Sequence, residues 1–369
     1  MRKCQRSKAL ICFLAFVSLP VSAQTSRETL AKRTAINGPS ALALDQEGHL
    51  YVVEDLENRV RRVDLLKGTI KTVAGNGKEC CYSSGLAATE VGLPYLTALA
   101  VNSRGDLLIA EWEQVLKVDA RTGLISTVAG TGKSGDTAEG SSALSVSFGQ
   151  INGLAVDAAG NLFISDVGQH KIFRVSSASG IVSRAAGNGK AGFSGDGASA
   201  VDASFLFPAS IALDSTGNIF VADSENCRIR RIDQKTGIVD TIAQTGGPEQ
   251  NCPPQPGRIP WQPSPSDPAV DPRGNVYFVQ GSEDVVARVS PDPEKQSIVA
   301  GNGERGFKGD GGPATAAKLA NPAGLAVDSE GNLFISEYVN NRIRRVDAKT
   351  RIITTIAGNG LPHRMDVEM

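Results

Sequence analysis

One short phrase recurs six times along this 369-residue chain. It reads Leu-Ala-Leu-Asp ending at Asp45, Leu-Ala-Val-Asn at Asn102, Leu-Ala-Val-Asp at Asp157, Ile-Ala-Leu-Asp at Asp214, Pro-Ala-Val-Asp at Asp271 and Leu-Ala-Val-Asp at Asp328. The steps are 57, 55, 57, 57 and 57 residues. A constant period of this size marks a repeat architecture and constrains the fold more than composition does. Six such periods fill about 342 residues and leave room for little besides an N-terminal leader.

The leader is legible. Arg2, Lys3, Arg6 and Lys8 form a basic start, Ala9 to Leu19 an apolar core, and Val21-Ser22-Ala23 a small-x-small cleavage site. That pattern predicts a signal peptide over 1–23 and a secreted or periplasmic protein cleaved near Ala23, since the apolar run is too short for stable membrane insertion. Without it, 34 basic residues face 39 acidic ones, a net charge of −5. With no Lys/Arg tract, nothing favours nucleic acid or an anionic bilayer as partner. Four cysteines remain: Cys80, Cys81, Cys227 and Cys252. Vicinal Cα atoms sit about 3.8 Å apart, below the usual disulfide range, so Cys227–Cys252 is the easier pair.

Within one repeat, Gly324 to Asp328 is a short apolar run, Ser329 to Asn332 a turn cluster and Leu333 to Glu337 a second run. Arg342 to Asp347 alternates apolar and polar, and Ile352 to Ala357 is β-rich. Four short strands joined by tight turns predict an antiparallel meander, and no segment sustains a helical period. A single meander buries neither face, but six arranged radially bury all of them. The expected fold is all-β: a six-bladed β-propeller of four-stranded antiparallel blades over 24–369, with blades near 37–77, 93–132, 149–189, 206–246, 263–303 and 320–360. Gln24 to Ile36 occupies the place of a linker before blade 1, and the sequence leaves open whether it closes the ring by packing beside blade 6 or by adding a strand there.

The run Gly324-Leu-Ala-Val-Asp-x-x-Gly-Asn-Leu-Phe-Ile-Ser-Glu337, followed by Asn341-Arg-Ile-Arg-Arg-Val-Asp347, resembles the NHL repeat, as do Ile211 to Asp233, Leu154 to Val175 and Leu42 to Asp64. Linkers such as Gly306 to Thr315 resemble those of bacterial NHL proteins and of the teneurin propeller. The resemblance implies the propeller fold. It says less about activity, because the family mixes binding scaffolds with a few enzymes.

Most recurring polar residues read as architecture. The Asp that ends strand a caps the turn after it. The acidic residue closing strand b (Glu54, Glu111, Asp166, Asp223, Glu337) faces a base five residues on (Arg59, Lys171, Arg228, Arg342), giving a cross-strand charge pair. Blade 5 replaces both members, with Gln280 and Val285, and blade 2 leaves Glu111 without a base. Three Gly-x-Gly-x-x-Gly phrases, starting at Gly130, Gly187 and Gly301, lack the βαβ setting of a dinucleotide site. Asp196 and Asp310 precede Ala-rich stretches and read as caps of a helical turn.

Function is expected where the repeats disagree. The b–c loops and the long linkers share one face, and recognition tends to sit on variable loops. The candidate binding residues are Glu111, Tyr82, Arg258, Trp261 and Gln280. Three histidines, His49, His170 and His363, do not make a metal cluster, and no nucleophile–base arrangement is apparent, so no catalytic or metal residue is assigned. The reading is a secreted, non-catalytic, monomeric scaffold that binds a protein or glycan partner. The alternative is a calcium-dependent, lactonase-like hydrolase with carboxylate and amide oxygens at the pore.

Overall fold

The computed structural model describes residues 29–79, 82–245, 265–280, 283–291 and 295–361. Six antiparallel sheets follow one another along the chain. Their strands a are Pro39–Leu44, Leu96–Val101, Ile151–Val156, Pro208–Leu213, Ser266–Val270 and Pro322–Val327. Strands b are His49–Glu54, Leu107–Glu111, Leu162–Asp166, Ile219–Asp223, Val276–Gln280 and Leu333–Glu337. Strands c are Arg59–Asp64, Gln114–Val118, Lys171–Val175, Arg228–Ile232, Val285–Val289 and Arg342–Val346. Strands d are Thr69–Ala74, Ile125–Ala129, Val182–Ala186, Ile238–Gln244, Gln296–Ala300 and Ile353–Ala357. Each strand a touches the strand a of the blades before and after it, and the first meets the last, so the ring is closed with strands a innermost.

The hydrophobic core lies between blades, not within them. Each cluster of buried apolar side chains draws from two neighbours: Val53 and Ile109 join blades 1 and 2, Phe148 and Ile164 stand with blade 2 residues, and Phe334 meets Leu50 across the closing joint. Burying such a side chain fully is worth roughly 1.5–3 kcal/mol.

The residues of the sixfold phrase do what their chemistry suggests. Asp328 Oδ1 accepts the Asn332 N–H at 2.8 Å and its Oδ2 accepts Asn332 Nδ2 at 2.7 Å. Asn332 Oδ1 in turn accepts the Ala348 N–H of the c–d turn at 3.0 Å. The same relay recurs at Asp157–Asn161 and Asp214–Asn218, runs with roles exchanged at Asn102–Asp106, and is begun in blade 1 by Asp45 with His49. The first glycine of each linker phrase is also structural. A Cβ on Gly301 would sit 2.5 Å from the Asp284 carbonyl oxygen, at a φ of +87° that glycine adopts freely.

The segment before blade 1 behaves as one more interblade linker. In the linkers after blades 1, 2, 3 and 5, the carbonyl of a buried alanine (Ala88, Ala143, Ala200, Ala314) accepts the N–H of the glycine that ends the preceding strand d. Ala31 O accepts the Gly358 N–H of blade 6 at 3.0 Å in the same way. Thr29–Leu30 pairs with Thr69 and Ile70, adding a strand to blade 1 rather than to blade 6, and Ala198–Ser199 adds one to blade 4. The N-terminal segment therefore packs beside blade 6 and contributes its strand to the blade it precedes. Gly38 N to Asn341 Oδ1 at 2.9 Å, Ser336 Oγ to Ser40 O at 2.6 Å and Tyr338 OH to Asp55 at 3.2 Å complete the joint.

The helical turns Ala200–Asp202 and Ala314–Ala316 are single 3₁₀ turns without a side-chain cap. Asp196 and Asp310 do not cap them. Asp310 pairs with Arg344 at 2.9 Å and Asp196 with Arg230 at 2.9 Å, holding each linker to the strand c behind it.

The closing joint is tight enough to test. A Cβ on Gly324 would run into the Ser40 carbonyl oxygen. Gly324→Ala is expected to lower unfolding free energy by about 1–3 kcal/mol in urea titrations; a loss under about 0.5 kcal/mol would show that blades 6 and 1 pack loosely.

Candidate functional site

On the linker face, the end of strand b is a buried polar node, and the backbone builds it. The carboxylate lies beside the residues that lead into strand a of its own blade. Glu54 accepts the Asn37 N–H at 3.3 Å, Asp166 the Gly149 N–H at 2.7 Å, Asp223 the Leu206 N–H at 2.8 Å and Glu337 the Ala320 N–H at 3.3 Å. A side chain of the b–c loop adds a second donor: Gln169 Nε2 to Asp166 and Asn226 Nδ2 to Asp223, each at 2.8 Å, and Asn340 to Glu337.

The charge partner differs from the expected one. Strand register sets Arg59, Lys171, Arg228 and Arg342 directly opposite the acidic residues. Only Arg59 bonds its carboxylate. Arg228 and Arg342 turn outward to cover Phe193 and Phe307, at 3.9 and 3.8 Å from the ring centres. The inward partner is two residues further on. Arg61, Arg230 and Arg344 reach Glu54, Asp223 and Glu337 at 3.3, 3.6 and 3.3 Å, and the last two are wholly buried. Each buried guanidinium is also bonded to linker oxygens, so its desolvation is offset on several sides. Burial raises the Asp223 carboxyl to about 6 despite these donors.

Blades 2 and 5 break the node. In blade 2 the residue at the N–H donor position is Pro94, which has no N–H to give. Leu116 stands in place of the inward arginine, and Glu111 keeps one neutral donor, Gln114 Nε2 at 2.6 Å. Its Oε1 is buried without a partner, and desolvation pushes its carboxyl up from 4.5 to about 7. In blade 5, Gln280 Oε1 is likewise buried with no donor among the described residues, and Ala287 replaces the arginine.

Above Glu111 stands a pair that the sequence reading passed over. Tyr95, held at a φ of +56° before strand a, stacks on Trp112 of the b–c turn with ring centres 4.6 Å apart. The rings are 61% and 41% exposed. The signal was present: blade 2 lacks two b–c loop residues, which sets Trp112 in a tight turn next to Glu111. A second missed departure is Asp267. The equivalent residues on the other innermost strands are Ala41, Ala98, Gly153, Ser210 and Gly324. Asp267 accepts Ser210 Oγ at 3.1 Å, and burial pushes its carboxyl up to about 6.

The remaining predicted residues separate. Tyr82 is half-buried against the blade 1–2 core, and its hydroxyl accepts Thr127 Oγ1 at 3.1 Å, so it serves packing. Arg258, Trp261 and Cys252 lie outside the described residues, as do Cys80, Cys81 and His363. Cys227 carries a disulfide whose partner is also outside them. His170 Nδ1 accepts the Phe207 N–H, and His49 faces Asp45. Among the described residues no three His, Cys, Asp or Glu side chains are grouped to hold a metal.

The comparisons agree with this geometry. The NHL repeat model matches residues 205–232, and the teneurin NHL domain model matches 292–365. Protein SUPPRESSOR OF QUENCHING 1 of Arabidopsis thaliana is 25% identical over 326 residues, covering 85% of this chain and 25% of that protein. Teneurin-1 of Mus musculus is 30% identical over 240 residues, covering 55% of this chain and 8% of teneurin-1. The chain thus spans a quarter or less of these relatives. A gluconolactonase structure from Xanthomonas campestris superposes with a TM-score of 0.54 at 12% identity, covering 93% of this chain and 99% of that one, a likeness of fold alone.

Glu111 gives this site a pH signature. Its raised folded pKa means that the folded protein keeps a proton the unfolded chain has released, so stability falls as pH rises from the ordinary glutamate value through about 7. Glu111→Gln removes that penalty. Its stability relative to wild type is expected to rise by about 2 kcal/mol between pH 5 and pH 8, measured as urea midpoints; a pH-independent difference would contradict an unpartnered Glu111.

Proposed function

Taking the chain as an NHL-repeat β-propeller, the family to which it belongs, we propose that it is a non-catalytic binding scaffold that holds a protein or glycan through its linker face. The observation that carries this reading is the exposed Tyr95–Trp112 stack. Large aromatic rings left in water on a rigid frame are typical recognition anchors, for protein side chains and sugar rings alike. Leu56 and Val339, on the b–c loops of blades 1 and 6, are also at least half exposed, so three successive blades present apolar side chains on this face.

The strand-b carboxylates of blades 1, 3, 4 and 6 favour a scaffold over a pore hydrolase, because backbone N–H groups already bond them, joined by an arginine in blades 1, 4 and 6 and by Gln169 in blade 3. The protein acts as an exported monomer, with neither nucleic acid nor a bilayer as partner. The disulfide on Cys227 fits an oxidising compartment, and no helix among the described residues is long and apolar enough to cross a membrane.

Two measurements on the mature chain test this reading. Bound partner, captured from the native envelope or identified on a glycan array, is expected to fall at least tenfold with Trp112→Ala and to survive Glu330→Ala on the opposite face, a hot-spot loss of about 1.4 kcal/mol or more. Equal capture by both variants would overturn the assignment of the face. One tightly held calcium per chain by elemental analysis, together with lactone hydrolysis, would favour the enzyme instead.

A further inference from the structure

The first residue of strand c follows a rule that blade 5 alone breaks. It is Arg59, Gln114, Lys171, Arg228, Val285 or Arg342 in blades 1 to 6. In blade 6 the Arg342 guanidinium lies over the chain just after strand d. It donates to Asn359 O at 3.1 Å and to Asn340 O of its own b–c loop at 3.1 Å. Lys171 and Gln114 occupy the same place in blades 3 and 2: a Cβ on Gly189 would meet Lys171 Cε at 3.1 Å, and one on Gly132 would meet Gln114 Oε1 at 3.5 Å. In blade 5 the equivalent glycine is Gly303, and the nearest atom to a Cβ there is Glu283 O at 4.0 Å. The short Val285 side chain leaves a cleft of about 590 Å³ between the b–c loop, strand d and the next linker.

The walls of that cleft keep the acceptors that a guanidinium uses elsewhere. By the 57-residue step, Glu283 O and Asn302 O correspond to Asn340 O and Asn359 O. No donor among the described residues reaches either of them. The Glu283 side chain adds a carboxylate where blade 6 has a neutral Asn340. Val285 and Ile298 supply an apolar wall on which methylene groups can pack. The backbone frame is unchanged, because Gly301 approaches Asp284 O as Gly358 approaches Asn341 O. Independently, Gln280, three residues before Glu283, holds a buried acceptor oxygen with no donor among the described residues.

We propose that blade 5 is an open socket for the arginine side chain of a protein partner, whose guanidinium takes the place that Arg342 fills in blade 6. A carboxylate and two carbonyl oxygens in a fork suit the planar donors of a guanidinium better than the point charge of an ammonium. The socket lies on the linker face but on a different blade from Tyr95 and Trp112, so it does not depend on the aromatic reading.

The test uses the mature chain and two small probes, Nα-acetyl-arginine methylamide and its citrulline counterpart, in calorimetric or NMR titrations. The arginine probe is expected to bind saturably and at least fivefold more tightly than the citrulline one. Val285→Arg fills the socket from within and should abolish binding while retaining the thermal midpoint. Glu283→Gln, which leaves the framework intact, should weaken binding at least threefold and serves if Val285→Arg does not fold. Absence of saturable binding, equal binding of citrulline, or binding untouched by Glu283→Gln would overturn the proposal. So would binding that appears only in Arg258→Ala, since the socket would then belong to the chain's own arginine.

Discussion

A four-stranded blade of this chain has two apolar faces and no means of covering either. That constraint governs the rest of the molecule. Every core cluster is shared between neighbouring blades, so no blade is stable until the ring is complete. The linkers serve the same end. Those after blades 1, 2, 3 and 5 span from the strand d they leave to the strand d of the next blade, and the segment at Ala31 does so for blades 6 and 1. Closure needs no exchanged strand within a blade, because the interblade joint is the same device repeated.

Shared cores put polar groups at blade ends under strain of solvation. The ends of strands b lie between blades, and a carboxylate there is stable only if backbone and side-chain donors surround it. Blades 1, 3, 4 and 6 meet that requirement in detail. Blades 2 and 5, which stand opposite each other in a six-bladed ring, do not. Their departures are coordinated. Blade 2 loses its backbone donor to Pro94 and its inward arginine to Leu116, and gains the exposed Tyr95–Trp112 pair. Blade 5 loses carboxylate and both bases, and gains a cleft. Positions released from architecture lie beside the two features suited to recognition.

Much of this was legible in the sequence because it is periodic. The step between copies of the phrase ending in Asp or Asn gave the blade count, and the alternation from Arg342 to Asp347 gave strand c. Asp328 before Gly-Asn gave the turn cap. The inward arginines were harder to see. Residues 59 and 61 point to the same sheet face, and sequence spacing favours the residue directly opposite Glu54 over its diagonal neighbour. Only packing against the linker sends Arg342 out to Phe307 and Arg344 in to Glu337. The partner of Asp310 lies 34 residues away, on a strand that the turn reading does not reach. Glu111 was visible as a misfit, but its isolation rests on Pro94, whose missing N–H matters only once strand a is placed beside strand b.

The central claim is that the strand-b node is structural in four blades and released in two. Alanine at each of Glu54, Glu111, Asp166, Asp223, Gln280 and Glu337, one at a time, with unfolding followed in urea at pH 7.5, tests it most directly. The account predicts losses of about 3 kcal/mol or more at Glu54, Asp166, Asp223 and Glu337, where removal strands buried donors, and under about 1 kcal/mol at Glu111 and Gln280. Similar losses at all six positions would contradict it.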